Sequence, residues 1–500
     1  MRPNGPVRRP TAATAWYCGP SLDWKRQVPC PGCFLPWPGS RYASGGGLHG
    51  YARAGHLPIF AALFISRMAQ IKPVRAWRYT RGLSEQIETL TSPLFDVVSE
   101  KQRQVLYQNP LNSIHLSVPA GENAAERAGQ LLENWKKTGV IEQDVLPGIY
   151  GYYQYFSLPG SSREYCRKGF ICHIKAYDWA ENVILRHENT IPAAVNDRIE
   201  LLEETLLHVS PTHGLYHDEE FTLEGYLDES MRHPLYETED YQGVREVLSV
   251  IHDLGVIRTF VERLKDQPVI LADGHHRYES SLVYRKMQMD ANPGHTGEEP
   301  YNFHLMYLTN AASDDLVILP THRLVSGLAA WNGAEFMEKL APYFTVRPLE
   351  NPYDAPEIIA GKPWAFGVLL SDGAYKIRLK PEVLESMTWH FPEVVKRLDL
   401  TVLHYFVLER ALGIPGRDQR KSPHVSFSRN FTECVTAVAE GKAQAALITN
   451  TVRMDEIQAV CRSGYTMPQK STNFYPKVIA GFLFSTIRPE EFVMPHCANL

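Results

Sequence analysis

From Met68 onward, short apolar bursts alternate with stretches whose apolar positions recur every three or four residues, the mark of strands interleaved with helices. Pro268–Ala272, Pro-Val-Ile-Leu-Ala, is branched and apolar, as a strand buried on both faces requires. Asp273 and Gly274 break that run. Tyr278, Leu282, Arg285 and Met289 then recur at helical spacing, with Tyr284, Lys286 and Gln288 on other faces. Residues 148–156 and 167–177 are aromatic and β-branched, and the Leu-Pro-Gly-Ser-Ser-Arg-Glu between them predicts a hairpin whose aromatic stripe is sheet packing. Alternating polarity predicts a strand over 114–119, and buried strands are predicted over 301–310 and 316–325. Helices are predicted over 123–137, over 198–209 with Asn196 or Asp197 as cap, and over 401–413 ending at Gly413. Past Trp331, residues 363–370 and 374–380 read as a hairpin around Ser371-Asp372-Gly373. The fold class is therefore mixed α/β (α+β), without repeats, heptads or a span long enough to cross a membrane.

Composition narrows this further. The 500 residues are 44% hydrophobic and 21% charged, ordinary for a globular protein. The formal charge of −5 hides a split: residues 1–67 hold eight Lys or Arg and one acid, Asp23, while residues 68–500 hold 43 bases and 55 acids, net −12. An acidic body of that kind disfavours broad nucleic-acid binding. Residues 1–67 also differ in being rich in Pro, Gly, Trp and Arg without sustained periodicity. They read as a disordered or mis-assigned extension, with Met68 as the expected start. A lone Cys30-Pro-Gly-Cys33, with Cys18 upstream, lacks the second pair of a zinc ribbon. The apolar stretch 57–66 is too short to span a bilayer. The five cysteines of the body are dispersed and read as reduced thiols in a cytoplasmic protein. The expected organisation is thus an extension (1–67), a main α/β domain (68–330) and a C-terminal α/β subdomain (331–500).

The chemistry concentrates where the 268–272 strand gives way to helix, at Asp273-Gly274-His275-His276-Arg277. A helix N-terminus presents unpaired N–H groups and the positive end of the helix dipole, and an arginine adds a fork suited to phosphate, so this turn is a candidate phosphate cradle. The plainer alternative is an Asp273 cap followed by surface histidines. His276 stands where a capping box would need Glu or Gln. Two other polar clusters adjoin apolar segments: Thr321-His322-Arg323 and Lys470-Ser471-Thr472. Arg323, Lys470, Ser471 and Thr472 are candidate substrate-binding residues, with a structural ion pair as the alternative.

Read together, Ala-Asp-Gly-His-His-Arg-Tyr-Glu at 272–279, His-Thr-Gly-Glu-Glu-Pro-Tyr-Asn-Phe-His at 295–304, residues 316–325 and residues 467–484 resemble domain-of-unknown-function family 1015 of bacteria and archaea. The Met68–Tyr79 stretch is similar to that family's usual N-terminus. The resemblance implies a ParB/sulfiredoxin-like phosphate-binding core elaborated with additional strands, helices and a C-terminal subdomain. Its Gly-His-His-Arg turn is similar to the nucleotide-phosphate turn of an archaeal free-serine kinase, which implies phosphate binding by Gly274, His275, His276 and Arg277. Two departures stand out: Phe95 occupies a tyrosine position of the family's Pro-Tyr-Asp-Val string while Asp96 is retained, and Asn189 replaces an arginine in the His187-Glu188-Asn189-Thr190 string.

The expected function is phosphoryl transfer to or from a small hydroxyl amino acid, serine or phosphoserine, in either the kinase or the phosphatase direction. Asp273, His275, His276, Glu188 and Asp96 are the candidate catalytic residues, Asp273 also being a candidate Mg²⁺ ligand, with ADP or ATP as the nucleotide. The alternative is a ParB-like nucleotide-binding switch or DNA-partition protein without this reaction. The expected partners are a small-molecule substrate and a nucleotide, with homodimerisation open and no membrane or nucleic acid.

Overall fold

The computed structural model describes residues 69–492. The expectations for residues 1–67, for Cys18, Cys30 and Cys33, and for a start at Met68 lie outside them. Residues 69–492 build a mixed α/β fold around two sheets, one nine-stranded and one six-stranded.

The nine-stranded sheet comprises β1 (Ile71–Lys72), β2 (Tyr150–Ser157), β3 (Glu164–Lys175), β4 (Ile184–Leu185), β5 (Thr212–Tyr216), β6 (Tyr236–Glu239), β7 (Arg245–Leu248), β8 (Val269–Asp273) and β9 (Phe303–Asn310). Their order is β4-β8-β5-β9-β3-β2-β7-β6, with β1 added on β3. The pairs β8–β4 and β9–β5 run parallel and the rest antiparallel. Both faces are buried, with alternate residues serving opposite cores. Leu305 and Tyr307 join Tyr152, Ile171 and the helix α1 (Ala124–Thr138) residues Leu132 and Trp135, whereas Met306 and Leu308 join Tyr153, Phe170, Ile257 and Phe260. Helix α2 is Pro192–Thr205 and α3 is Leu254–Leu264. The predicted hairpin is the β2–β3 pair, with Tyr150 opposite Ile171 and Ser157 opposite Glu164.

The six-stranded sheet comprises β10 (His322–Val325), β11 (Phe344–Leu349), β12 (Ala365–Leu370), β13 (Gly373–Leu379), β14 (Val425–Ser428) and β15 (Ala445–Ile448), in the order β11-β13-β12-β15-β10-β14. All its pairs are antiparallel. The tight β12–β13 connection at Ser371 and Asp372 is the predicted hairpin. The chain then returns to earlier segments outside both sheets: Ala480 bridges to Ser92, Phe484 to Trp77, and Ser485–Thr486 pairs with Leu207–His208.

Three expectations fail locally. Residues 114–117 are a helical turn, not a strand, because the Asn112 side chain accepts the Ile114 N–H at 2.8 Å and closes the turn. Helix α2 starts at Pro192, placing Asn196 and Asp197 inside it; Pro at the first helical position needs no N–H partner and sets the start there. The 316–325 stretch splits into Val317–Ile318, paired with Phe474–Tyr475, and β10. The predicted 401–413 helix begins at Asp399 and then widens, its last turn closed by Leu412 N–H to Val407 carbonyl at 3.0 Å, before Gly413 ends it at φ +72°.

Candidate functional site

Strand β8 ends at Asp273, Gly274 turns the chain with φ +88° and ψ 28°, and helix α4 runs His275–Ala291. Glycine is required twice over here: the backbone is left-handed, and a Cβ would sit 2.7 Å from Thr212 Cγ2 and 2.9 Å from Arg277 Nη2. The first intrahelical bond is Tyr278 N–H to Gly274 carbonyl at 3.0 Å, so the amides of His275, His276 and Arg277 lie at the positive end of the helix. Both flanks of α4 are buried, Tyr278 and Leu282 against the sheet and Tyr284 against Leu202 and Ile487.

Asp273 does not cap α4. Its Oδ1 is held by Lys477 Nζ and its Oδ2 by Arg277 Nη2 at 3.3 Å. Burial pushes this carboxyl up, but Lys477 and Arg277 outweigh it and hold it well below the usual carboxylate range. Arg277 is buried and otherwise turned inward: its Nη1 donates to Ser210 Oγ at 2.9 Å and to the Pro211 carbonyl at 2.6 Å. Its fork therefore anchors α4 to the start of β5, and Asp273 is a fixed anion with little proton affinity.

Three imidazoles surround this pair. His275 is 6% exposed, its Nε2 has no partner, and its ring meets His187 edge-on at 4.8 Å. His187 Nε2 lies 2.7 Å from Thr472 Oγ1, and His213 Nε2 2.7 Å from Thr309 Oγ1. Burial lowers all three pKa values, so each ring is neutral. His276 is more open. Its Nε2 accepts the Ile191 N–H at 2.9 Å, which leaves the ring proton on Nδ1, and burial again lowers its pKa against the pull of Asp96 and Glu188.

An outer ring comes from distant segments. Glu188 Oε1 accepts the Ser471 N–H at 3.1 Å. Arg420 Nη2 donates to the carbonyls of Asn189 and Thr190, and the charges of Lys470 and Arg420 act on His276. Arg323 is fully buried, donates to the Thr321 carbonyl of its own segment and grips the Lys470 loop through the Gln469 and Lys470 carbonyls; burial lowers it to about 9, with Glu188 opposing. Lys470 itself is held at φ +57°.

A family model described as a protein of unknown function, DUF1015, matches residues 71–401. The chain belongs to this family. No curated protein matches it. Among solved structures, it is similar to a conserved hypothetical protein from Pyrococcus furiosus, 12% identical with a TM-score of 0.33 over 65% of this chain and 97% of that one. It is also similar to a free serine kinase in complex with AMP (12%, TM-score 0.34, 65% and 93%) and to C-terminally truncated SbnI from Staphylococcus aureus (12%, 0.32, 63% and 87%).

In this DUF1015 chain the expected residues do converge. Asp273, His275 and His276 form the turn, the charges of Asp96, Glu188 and Lys470 act on His276, Ser471 N–H meets Glu188, Thr472 meets His187, and Arg323 holds the Gln469 and Lys470 carbonyls. Asp273 does not fit a Mg²⁺ ligand, since both its oxygens are taken by cations, and among the described residues no group of three His, Cys, Asp or Glu is placed to hold a metal. Sequence reasoning missed Lys477, His213, His187 and Arg420. Two lay inside strings already singled out: His187 beside Glu188, and Lys477 in the Asn-Phe-Tyr-Pro-Lys that follows Thr472. Arg420 and His213 carried no sequence signal.

Proposed function

We propose that the protein binds a phosphate group at the start of α4 and transfers it to or from a small hydroxyl amino acid, serine or phosphoserine, with ADP or ATP as the other reactant in the kinase direction. The supporting observation is His275. A buried imidazole whose Nε2 has no partner, at the positive end of a 17-residue helix, is a costly arrangement that a phosphate oxygen would satisfy. In this reading His275 Nε2–H and the first α4 amides hold the phosphoryl oxygens, and Lys470 and Arg420 offset their charge. Lys477 does so only by sharing itself with Asp273. The acceptor hydroxyl gives its proton to Glu188 or Asp96 as its oxygen bonds phosphorus and the leaving oxygen departs. Asp273, held ionised, fixes Lys477 and Arg277 and is not the base.

The test is to incubate the protein with phosphoserine, with and without ADP, following serine, phosphate and ATP, beside His275→Ala and Lys470→Met. Turnover that falls about a hundredfold in His275→Ala supports the reading. No exchange among serine, phosphoserine and nucleotides would overturn it, and nucleotide binding without turnover would favour the switch alternative.

A further inference from the structure

A line of polar side chains crosses the nine-stranded sheet. Glu246 on β7 stands opposite Gln154 on β2, and Gln154 opposite Arg167 on β3. Further along, His213 on β5 stands opposite Asp273 on β8. Gln154 and Glu246 are fully buried and Arg167 is 2% exposed. Glu246 Oε2 and Arg167 Nε and Nη1 make no hydrogen bond of ordinary geometry, although the Tyr152 hydroxyl acts on Glu246 and the Arg167 guanidinium lies over the Tyr307 ring at 5.6 Å. Such a row gives the sheet no stability that apolar residues of similar volume would not match.

What the row does is grip the Pro476–Lys477 peptide. Gln154 Nε2 donates to Glu246 Oε1 and to the Lys477 carbonyl, each at 3.0 Å. Arg167 Nη2 donates to Gln154 Oε1 and to the Pro476 carbonyl. An isolated side-chain amide can point either way round. With an obligate donor, Arg167, on its oxygen and an acceptor, Glu246, on its nitrogen, Gln154 is held with its N–H₂ toward Lys477. From that anchored peptide the Lys477 side chain reaches Asp273.

We propose that Glu246, Gln154 and Arg167 are positioning residues that hold Lys477 against Asp273 and so set how available its amine is to the site. This rests on Lys477 and Asp273 belonging to the phosphate site described above, but the amine can be read directly, whatever reaction occurs there. Burial raises Glu246 to about 8, with the Tyr152 hydroxyl, Gln154 and Arg167 pulling it down and Asp240 pushing it up. Near neutral pH it is accordingly an uncharged acid that leaves the Arg167 charge to act on Gln154 and the peptide.

The experiment is trace acetylation of lysines in the full chain, read by mass spectrometry of the peptides. Lys101, which is exposed, gives the reagent scale; Lys136, half-buried and paired with Glu491, reports general loosening. In Gln154→Leu, Lys477 labelling should rise about threefold or more, the equivalent of one net hydrogen bond, with Lys136 unchanged. Glu246→Met, which removes the acceptor on the Gln154 nitrogen at similar volume, loosens the amide and should raise Lys477 labelling in the same direction. Lys477 unchanged in Glu246→Met overturns the proposal. So does a rise shared equally by Lys136 in both variants, since that is loss of general packing. Phosphoserine turnover measured in parallel separates this from the functional reading: labelling can respond with no turnover present, and turnover can persist with labelling unmoved.

Discussion

Removing the Lys477 amine should expose how much the turn depends on it. In Lys477→Met the Asp273 carboxylate, 13% exposed, keeps Arg277 at 3.3 Å but loses its closest cation. Breaking a buried ion pair from one side costs about 3–5 kcal/mol, and the surviving Arg277 contact puts this case at the lower end, about 3 kcal/mol. The double variant Asp273→Asn/Lys477→Met removes both charges and should recover about half of that, a coupling of about 1–2 kcal/mol. The pH dependence fixes the sign. In the wild type the folded pKa of Asp273 lies below its unfolded value, so its stabilisation is present above the unfolded pKa and lost only as pH falls through the folded one. In Lys477→Met, burial is less opposed and the folded pKa rises, so the deficit should be largest at pH 7 and shrink by up to about 1.4 kcal/mol per unit as pH falls toward 5. Urea unfolding followed by tryptophan fluorescence at pH 7 and pH 5 measures all three proteins. A single-variant cost below about 0.5 kcal/mol, or strict additivity in the double variant, would refute the pairing as the holder of this turn.

Gly274→Ala meets both a left-handed backbone and Thr212 Cγ2 at 2.7 Å, so it should cost about 2 kcal/mol or more in a thermal melt and abolish phosphate binding. Glu246 is the reverse of Asp273: its folded pKa, about 8, lies above its unfolded value, so the fold binds the extra proton and stability falls as pH rises through that window. Urea midpoints of the wild type should therefore drop between pH 6 and 9, while those of Glu246→Gln stay flatter. Trp135→Ala, in the core beneath β2 and β9 and 1% exposed, should cost about 3–5 kcal/mol in the same assay.

Sequence periodicity located the strand at Val269–Asp273, the α4 helix and both hairpins because each is a local pattern, an apolar run or a turn between branched segments. It mistook Ile114–Ser117 because four residues cannot separate a period of 2 from one of 3.6. The turn was legible as a site, but its wiring was not. Arg277 is the fork that a phosphate reader looks for, yet its Nη1 partners are the Ser210 hydroxyl and the Pro211 carbonyl, which nothing near Arg277 in sequence announces. Lys477 is separated from Asp273 by 204 positions, and only the fold brings them together.

That separation has a consequence for synthesis. The segment from Phe474 to Thr486 supplies Lys477, covers the Gln154–Arg167 row and closes bridges to Ser92 and Trp77, all of which are made long before it emerges. A nascent chain can pair most of its large sheet while still on the ribosome, but with Asp273 lacking its lysine and a buried arginine awaiting its carbonyl acceptor. A translation product ending before residue 474 would lack Lys477 and the carbonyls that Gln154 and Arg167 hold, so the proposed site stays incomplete until that segment has emerged.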